Sequence, residues 1–274
     1  MRFEVTGMNK TIFSFLLTVM FIASACAPQQ SVDLSKGEWI DLGHDFGDDT
    51  IYWVNAEPFK RTGTGAMTDK GYFYAAGNYS AAEHGGTHID APMHFAEGKK
   101  SVDQLELSQL IAPGVKIDVS AKANADRDYL ITTDDIKAWE AANGRIPEWS
   151  IILLQTGFSS KWPDKKAYLG TDQHGDEAAK DLHFPGLHPD AAKWLVENRK
   201  FKAIGIDTAS IDFGQSTEFK THVTLMTNNI PAFENVANLD KLPAKGFYVI
   251  AMPMKIKGGS GAPLRIAAFI QNSK

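Results

Sequence analysis

"EHGGTHIDAPMHF", residues 83–95, places His84, His88, Asp90 and His94 close together in a 274-residue chain that has eight histidines in all. Their spacing excludes both regular conformations as a shared ligand platform. In a helix, His84 and His88 would share a face, but Asp90 would point about 200° away from His88. Gly85, Gly86 and Pro92 also oppose a helix. In a strand all four residues would face one side, since their positions are all even. His84 and Asp90 would then stand about 20 Å apart. Convergence on one ion therefore requires a bend. The two glycines supply it and leave no side chain where the backbone nears the ion.

With that bend, His84, His88 and Asp90 offer two imidazoles and a carboxylate. The set suits Zn2+, Mn2+ or Fe2+ and leaves positions open for water or substrate, as a catalytic ion needs. His94 follows a proline and lies just beyond the set. It is either a fourth ligand or a free acid/base that titrates near neutrality. The N–H groups of Gly85 to Thr87 are candidate oxyanion donors.

Around this segment, "VKIDVS" (115–120), "SIILLQTG" (150–157), "FKAIGIDT" (201–208), "FYVIAMPMKI" (247–256) and "PLRIAAFI" (263–270) are short apolar runs bounded by Gly, Pro, Asp or Ser. They read as strands, with "KGGSGAP" as a hairpin connection between the last two. "TTDDIKAWEAANG" starts on a Thr/Asp cap and ends at Asn143-Gly144, which predicts a helix. "HPDAAKWLVENRK" predicts a second, with Pro189 in its first turn. Helices lying between strands imply crossovers and an α/β domain rich in strands. "GYFYAAGNY" reads as a pocket wall or as an aromatic strand packed on the core.

No linker divides residues 38–274, so they are read as one domain. Ahead of it, "MNKTIFSFLLTVMFIASAC" has a lysine, an apolar run and small residues before Cys26, the layout of an export signal. The small residues before Cys26 resemble a bacterial lipoprotein box. Residues 1–25 are thus expected to be cleaved, Cys26 to carry lipid in the periplasm, and residues 26–37 to form a polar tether. Cys26 is the only cysteine, which excludes an intrachain disulfide. Net charge is -5 with no basic stripe, so nucleic acid is not an expected partner. No phosphate loop, Ser-His-Asp set or nucleophilic cysteine competes with the metal reading.

"HGGTHIDAPMHF" resembles the HxGTHxDxPxH signature of the cyclase family, which includes bacterial kynurenine formamidases and isatin hydrolases. "WIDLGHDF", "TIYW", "ILLQTGF", "FPGLHPDAAKWL" and "GIDTASIDFG" resemble further blocks of that family in the same order. The resemblance covers roughly residues 38–270. It implies a swivelling β/β/α fold, a strand-rich mixed sheet with flanking helices, and a homodimer. It implies that His84, His88 and Asp90 bind metal and that His94 is the catalytic acid/base. It also implies that a later His and Glu, here His222 and Glu234, complete a two-metal site. His44 stands in a block that departs from the family's usual DLSHP, and reads as structural. Trp53 either covers an aromatic substrate or is a packed aromatic.

The function these features imply is an exported hydrolase of a C–N amide bond with one or two Zn2+ or Mn2+ ions. The ion acidifies water towards neutrality, and His94 carries the proton. The "EHGGTHIDAP" and "DDTIYW" forms favour a cyclic amide such as isatin. N-formylkynurenine is the alternative substrate, and a tethered, non-catalytic metal- or ligand-binding protein is the alternative class.

Overall fold

The computed structural model describes residues 32–271. The expected export signal, Cys26 and the first half of the tether (26–31) lie outside the described residues. The tether's last position, Gly37, already belongs to a strand.

Eight strands form the main sheet: β1 (Gly37–Asp41), β2 (His88–Asp90), β3 (Ile111–Asp118), β4 (Ser150–Gln155), β5 (Phe201–Ile206), β6 (Ala232–Glu234), β7 (Lys245–Pro253) and β8 (Gly261–Gln271). Their spatial order is β1-β8-β7-β3-β4-β5-β6-β2, and β2 also pairs with β8. That extra pairing closes every strand except β1 into a barrel-like ring, with β1 attached outside on β8. Strands β3 to β6 run parallel; the remaining pairings are antiparallel. Parallel neighbours need long crossovers, and these hold α1 (Thr133–Asn143), α2 (Pro189–Asn198) and α3 (Lys220–Thr227).

Alternation sorts the side chains of the parallel strands onto two faces. Val115, Ile117, Ile152, Leu154, Ile204 and Ile206 pack against Ile136 and Trp139 of α1 and Leu195 of α2. Their neighbours Ile151, Leu153 and Ala203 turn the other way, into a second core with Phe233, Phe247, Val249 and Ile266. Burial on both faces makes such strands nearly continuous apolar runs, which is why they stand out in the sequence. The predicted helix ends hold too. At α1, Thr132 Oγ1 accepts the Asp135 N–H, while the Asp135 carboxylate accepts the Thr132 N–H at 2.7 Å, a reciprocal cap. Gly144, at φ +85°, ends the helix.

Two expectations need correction, and one element was not anticipated. The first predicted strand begins at Ile111 and runs through Pro113 and Gly114. Helix α3 was not expected: "KTHVTLMT" is rich in β-branched residues and its N-cap, Phe219, offers no side-chain bond. Burial of Thr221, His222, Leu225 and Met226 forms it instead. "GYFYAAGNY" lies neither in the core nor in the pocket. It belongs to an arm in which Lys60–Thr62 pairs with Asn78–Ser80 and Gly65–Met67 with Phe73–Ala75. Met67, Tyr72, Phe73, Tyr74 and Tyr79 are exposed there.

Strand β2 is only three residues long, yet it is wholly buried and hydrogen-bonded on both edges. Thr87, just before it, ties it down. Its hydroxyl donates to the Asn235 carbonyl at 2.7 Å and accepts the His44 N–H at 2.8 Å. Thr87→Val keeps the shape but strands both backbone groups. It is expected to cost about 1–3 kcal/mol of stability, read from the urea midpoint; an unchanged midpoint contradicts this role.

Candidate metal centre

Ring closure brings distant ligands together. The β2–β6 register sets His88 opposite Glu234 and Asp90 opposite Ala232, and α3 adds His222 from the crossover. The bend before β2 is the one the spacing demanded. Gly86 sits at φ +58°, and a Cβ on Gly85 would come within 2.0 Å of the Tyr52 ring. His84 thereby turns back onto Asp90, with Nδ1 2.7 Å from Oδ1.

Asp90 is the hub. Its Oδ1 also lies 3.2 Å from His88 Nε2, and its Oδ2 lies 3.1 Å from His222 Nε2. Glu234 Oε1 is 3.2 Å from His222 Nε2, and its Oε2 is 3.5 Å from His88 Nε2. Two ligand groups result, His84–His88–Asp90 and Asp90–His222–Glu234, each with its ligand atoms within 4.8 Å of one another. The structure thus joins all five expected ligands. His94 is in neither group. Its ring instead stacks on His84 at 3.8 Å.

The electrostatics fit a divalent cation. Asp90 is 1% exposed and Glu234 4%. Burial raises Glu234, and the Asp90 charge raises it further, with His222 and His88 offsetting only part. Burial opposes ionisation of Asp90 too, but His88 and His84, with a bond from His222, hold it well below the usual carboxylate range. Burial disfavours a charged His88, yet the charges of Asp90 and Glu234 push it up to about 9. His222 also lies well above the usual value: burial opposes its charge, but bonds to Asp212, Asp90 and Glu234 outweigh it. The carboxylates and imidazoles thus favour each other's charged forms, with burial opposing both. An ion with mixed N/O affinity, such as Zn2+ or Mn2+, can replace the imidazole protons. His94 corrects the expectation of titration near neutrality: burial pulls it down to about 4, the Asp90 charge opposing and the neighbouring imidazoles adding to the shift.

Each ligand imidazole has its other nitrogen engaged. His88 Nδ1 bonds the Gly86 carbonyl, His84 Nε2 bonds Ser260 Oγ, and His222 Nδ1 bonds Asp212. The Gly86 N–H donates to the Ile51 carbonyl at 2.9 Å, so it is not the free oxyanion donor the sequence reading offered. His44 stacks on Trp162 at 4.2 Å, away from the centre, as expected. Trp53 is a packed aromatic, meeting Phe184 edge-on at 6.3 Å, and it also lines the pocket.

That pocket is a cavity of about 300 Å³ over the centre, also walled by Tyr52, Phe95, Phe219 and Asn235. Sequence analysis gave these residues no role, nor Asp212 and Ser260; Tyr52, Phe95 and Asp212 lie inside the quoted family blocks, but only the folded chain brings them to the site. A largely apolar, aromatic-lined cavity with the ligand residues in its wall suits a small apolar molecule. Because His88 carries its proton up to about 9 in the free protein, ion binding must expel it. Zn2+ affinity is expected to rise about tenfold per pH unit per proton from pH 7 towards 9. Calorimetry in buffers of different ionisation heat checks this; proton-independent binding contradicts it.

The family model described as "Putative cyclase" matches residues 40–213. An isatin hydrolase from Roseibium aggregatum is 38% identical over 208 residues, 73% of this chain and 76% of that protein. A kynurenine formamidase from Bacillus cereus is 28% identical over 236 residues, 85% of this chain and 97% of its own. A solved isatin hydrolase bound to the product analogue thioisatinate superposes with a TM-score of 0.79 at 33% identity, covering 87% of this chain and 94% of that one. With its motif folded into one buried ligand cluster, the chain belongs to the cyclase family.

Proposed function

We propose that this protein is a metal-dependent hydrolase that opens a cyclic aromatic amide such as isatin. The observation that carries the reading is Asp90 shared between two ligand groups at the floor of an aromatic-walled cavity. The likeness to isatin hydrolases in both sequence and structure supports the substrate class. Two Zn2+ or Mn2+ ions would be held by His84, His88 and Asp90, and by Asp90, His222 and Glu234. When bound, they supply Lewis acidity that polarises the carbonyl and acidifies water.

The chain's own residues do the rest. Trp53, Phe95 and Phe219 wall the pocket and exclude water from an aromatic ring. His94, neutral at pH 7, takes a proton as the water oxygen bonds to the carbonyl carbon. As the C–N bond breaks, it returns that proton to the nitrogen, leaving an amine and a carboxylic acid that ionises to the carboxylate by losing its proton to solvent. The kynurenine formamidase relatives favour a second reading, deformylation of N-formylkynurenine by the same groups. A non-catalytic binder would need the ligands but not His94.

The N-terminal layout supports export and a lipid anchor at Cys26, with the domain in the periplasm. The exposed Met67, Tyr72, Phe73, Tyr74 and Tyr79 of the arm support a homodimer that covers them. Lipid-precursor labelling lost in Cys26→Ser would establish the anchor; absence of label in the unaltered protein would refute it. Light scattering of the labelled protein, freed from membrane in detergent, should give two chains per particle, and one chain refutes the dimer.

Ring opening of isatin, followed by its absorbance, should exceed deformylation of N-formylkynurenine in kcat/KM. The reverse order selects the second reading, and activity on no amide selects the binder. His94→Ala should lower kcat by about two to four orders of magnitude with metal content unchanged. Loss of metal together with activity would contradict the division of roles.

A further inference from the structure

The three ligand imidazoles differ in what stands behind them. His88 Nδ1 meets a main-chain carbonyl, Gly86 O, at 3.0 Å. His84 Nε2 meets a neutral hydroxyl, Ser260 Oγ, at 2.9 Å. His222 Nδ1 meets a carboxylate, Asp212 Oδ2, at 2.7 Å. Asp212 is 1% exposed and held in place. Its Oδ2 also accepts the His222 N–H at 3.0 Å, and its Oδ1 accepts the Thr221 N–H and the Ser216 hydroxyl, each at 3.2 Å. The carboxylate is thereby locked to the first turn of α3, the helix that carries His222.

This arrangement has two consequences. A hydrogen bond to Asp212 keeps the proton on Nδ1 and turns the Nε2 lone pair towards Asp90 and Glu234. A carboxylate behind a ligand imidazole also raises its basicity more than a carbonyl or hydroxyl does. Charge and access act in the same direction. The group Asp90–His222–Glu234 has two carboxylates and is buried throughout, whereas His84–His88–Asp90 has one and includes His84, whose side chain is 24% exposed. A second ion sharing Asp90 would also enter against the charge of the first.

We propose that Asp212 is a positioning residue that makes the Asp90–His222–Glu234 site the tighter of the two, so that it fills first while the His84–His88–Asp90 site exchanges with solvent. The inference rests on the two-ion reading above and not on the identity of the substrate.

Metal-free protein titrated with Zn2+ against a chromophoric chelator tests it. The unaltered protein should bind in two resolved steps. Asp212→Ala should weaken the first step about 10–100-fold and leave the second within about threefold. Asp212→Asn keeps a hydrogen-bond acceptor of the same shape and should fall between them. Ser260→Ala should weaken the second step alone. Should metal-free Asp212→Ala fail to fold by thermal melting, Asp212→Asn carries the test, with a first-step loss of at least about threefold. A single step in the unaltered protein, an unchanged first step in the Asp212 variants, or equal losses on both steps overturns the inference. Failure to hydrolyse any amide would defeat the functional proposal and leave these binding steps unaffected.

Discussion

Asp90 is a buried carboxylate with three imidazoles around it and a second buried carboxylate, Glu234, just beyond them. Taking two like charges out of water is costly unless positive charge accompanies them. The carboxylates push His88 and His222 towards their charged forms, and the same donors can serve a divalent cation. Much of the fold serves this balance. The backbone of Asp90 pairs with Ala232 on one side and Gly261 on the other. The three-residue strand that closes the barrel is thus the strand that carries two of the ligands. Closing the ring and assembling the centre are one event.

The remaining architecture divides into support and access. The parallel strands β3, β4 and β5, buried on both faces, form a rigid frame. The crossover from β5 to β6 is less regular. It carries Asp212, the left-handed Phe219 (φ +47°) and His222 within a short stretch. Backbone in that region costs energy for a bulky residue and tends to persist where function requires it. Here it marks the point at which the chain turns from the pocket wall into the ligand helix.

The sequence shows the frame clearly and the closure hardly at all. "SIILLQTG" and "FKAIGIDT" are legible because burial on two faces writes itself as unbroken apolar residues. The first helix is legible because Thr132, Asp135 and Gly144 are capping chemistry. β2 and β6 hold three residues each, too few for any period to register. The same split runs through the centre. His84, His88 and Asp90 can be read together because one bend unites them, and Gly85 and Gly86 announce it. His222 stands 132 positions from Asp90 on a helix with no cap signal, so only the family resemblance pointed to it and to Glu234. Asp212, Phe95 and Phe219 acquire meaning through tertiary contact alone.

Two cations sharing Asp90 would both be visible crystallographically. Anomalous diffraction recorded across the metal absorption edge, on protein purified without added metal, tests this most directly. Two peaks are expected, one on each side of the Asp90 carboxylate, flanked by His84 and His88 and by His222 and Glu234. Fully active protein with no peak at Asp90, or with metal only elsewhere, would contradict it.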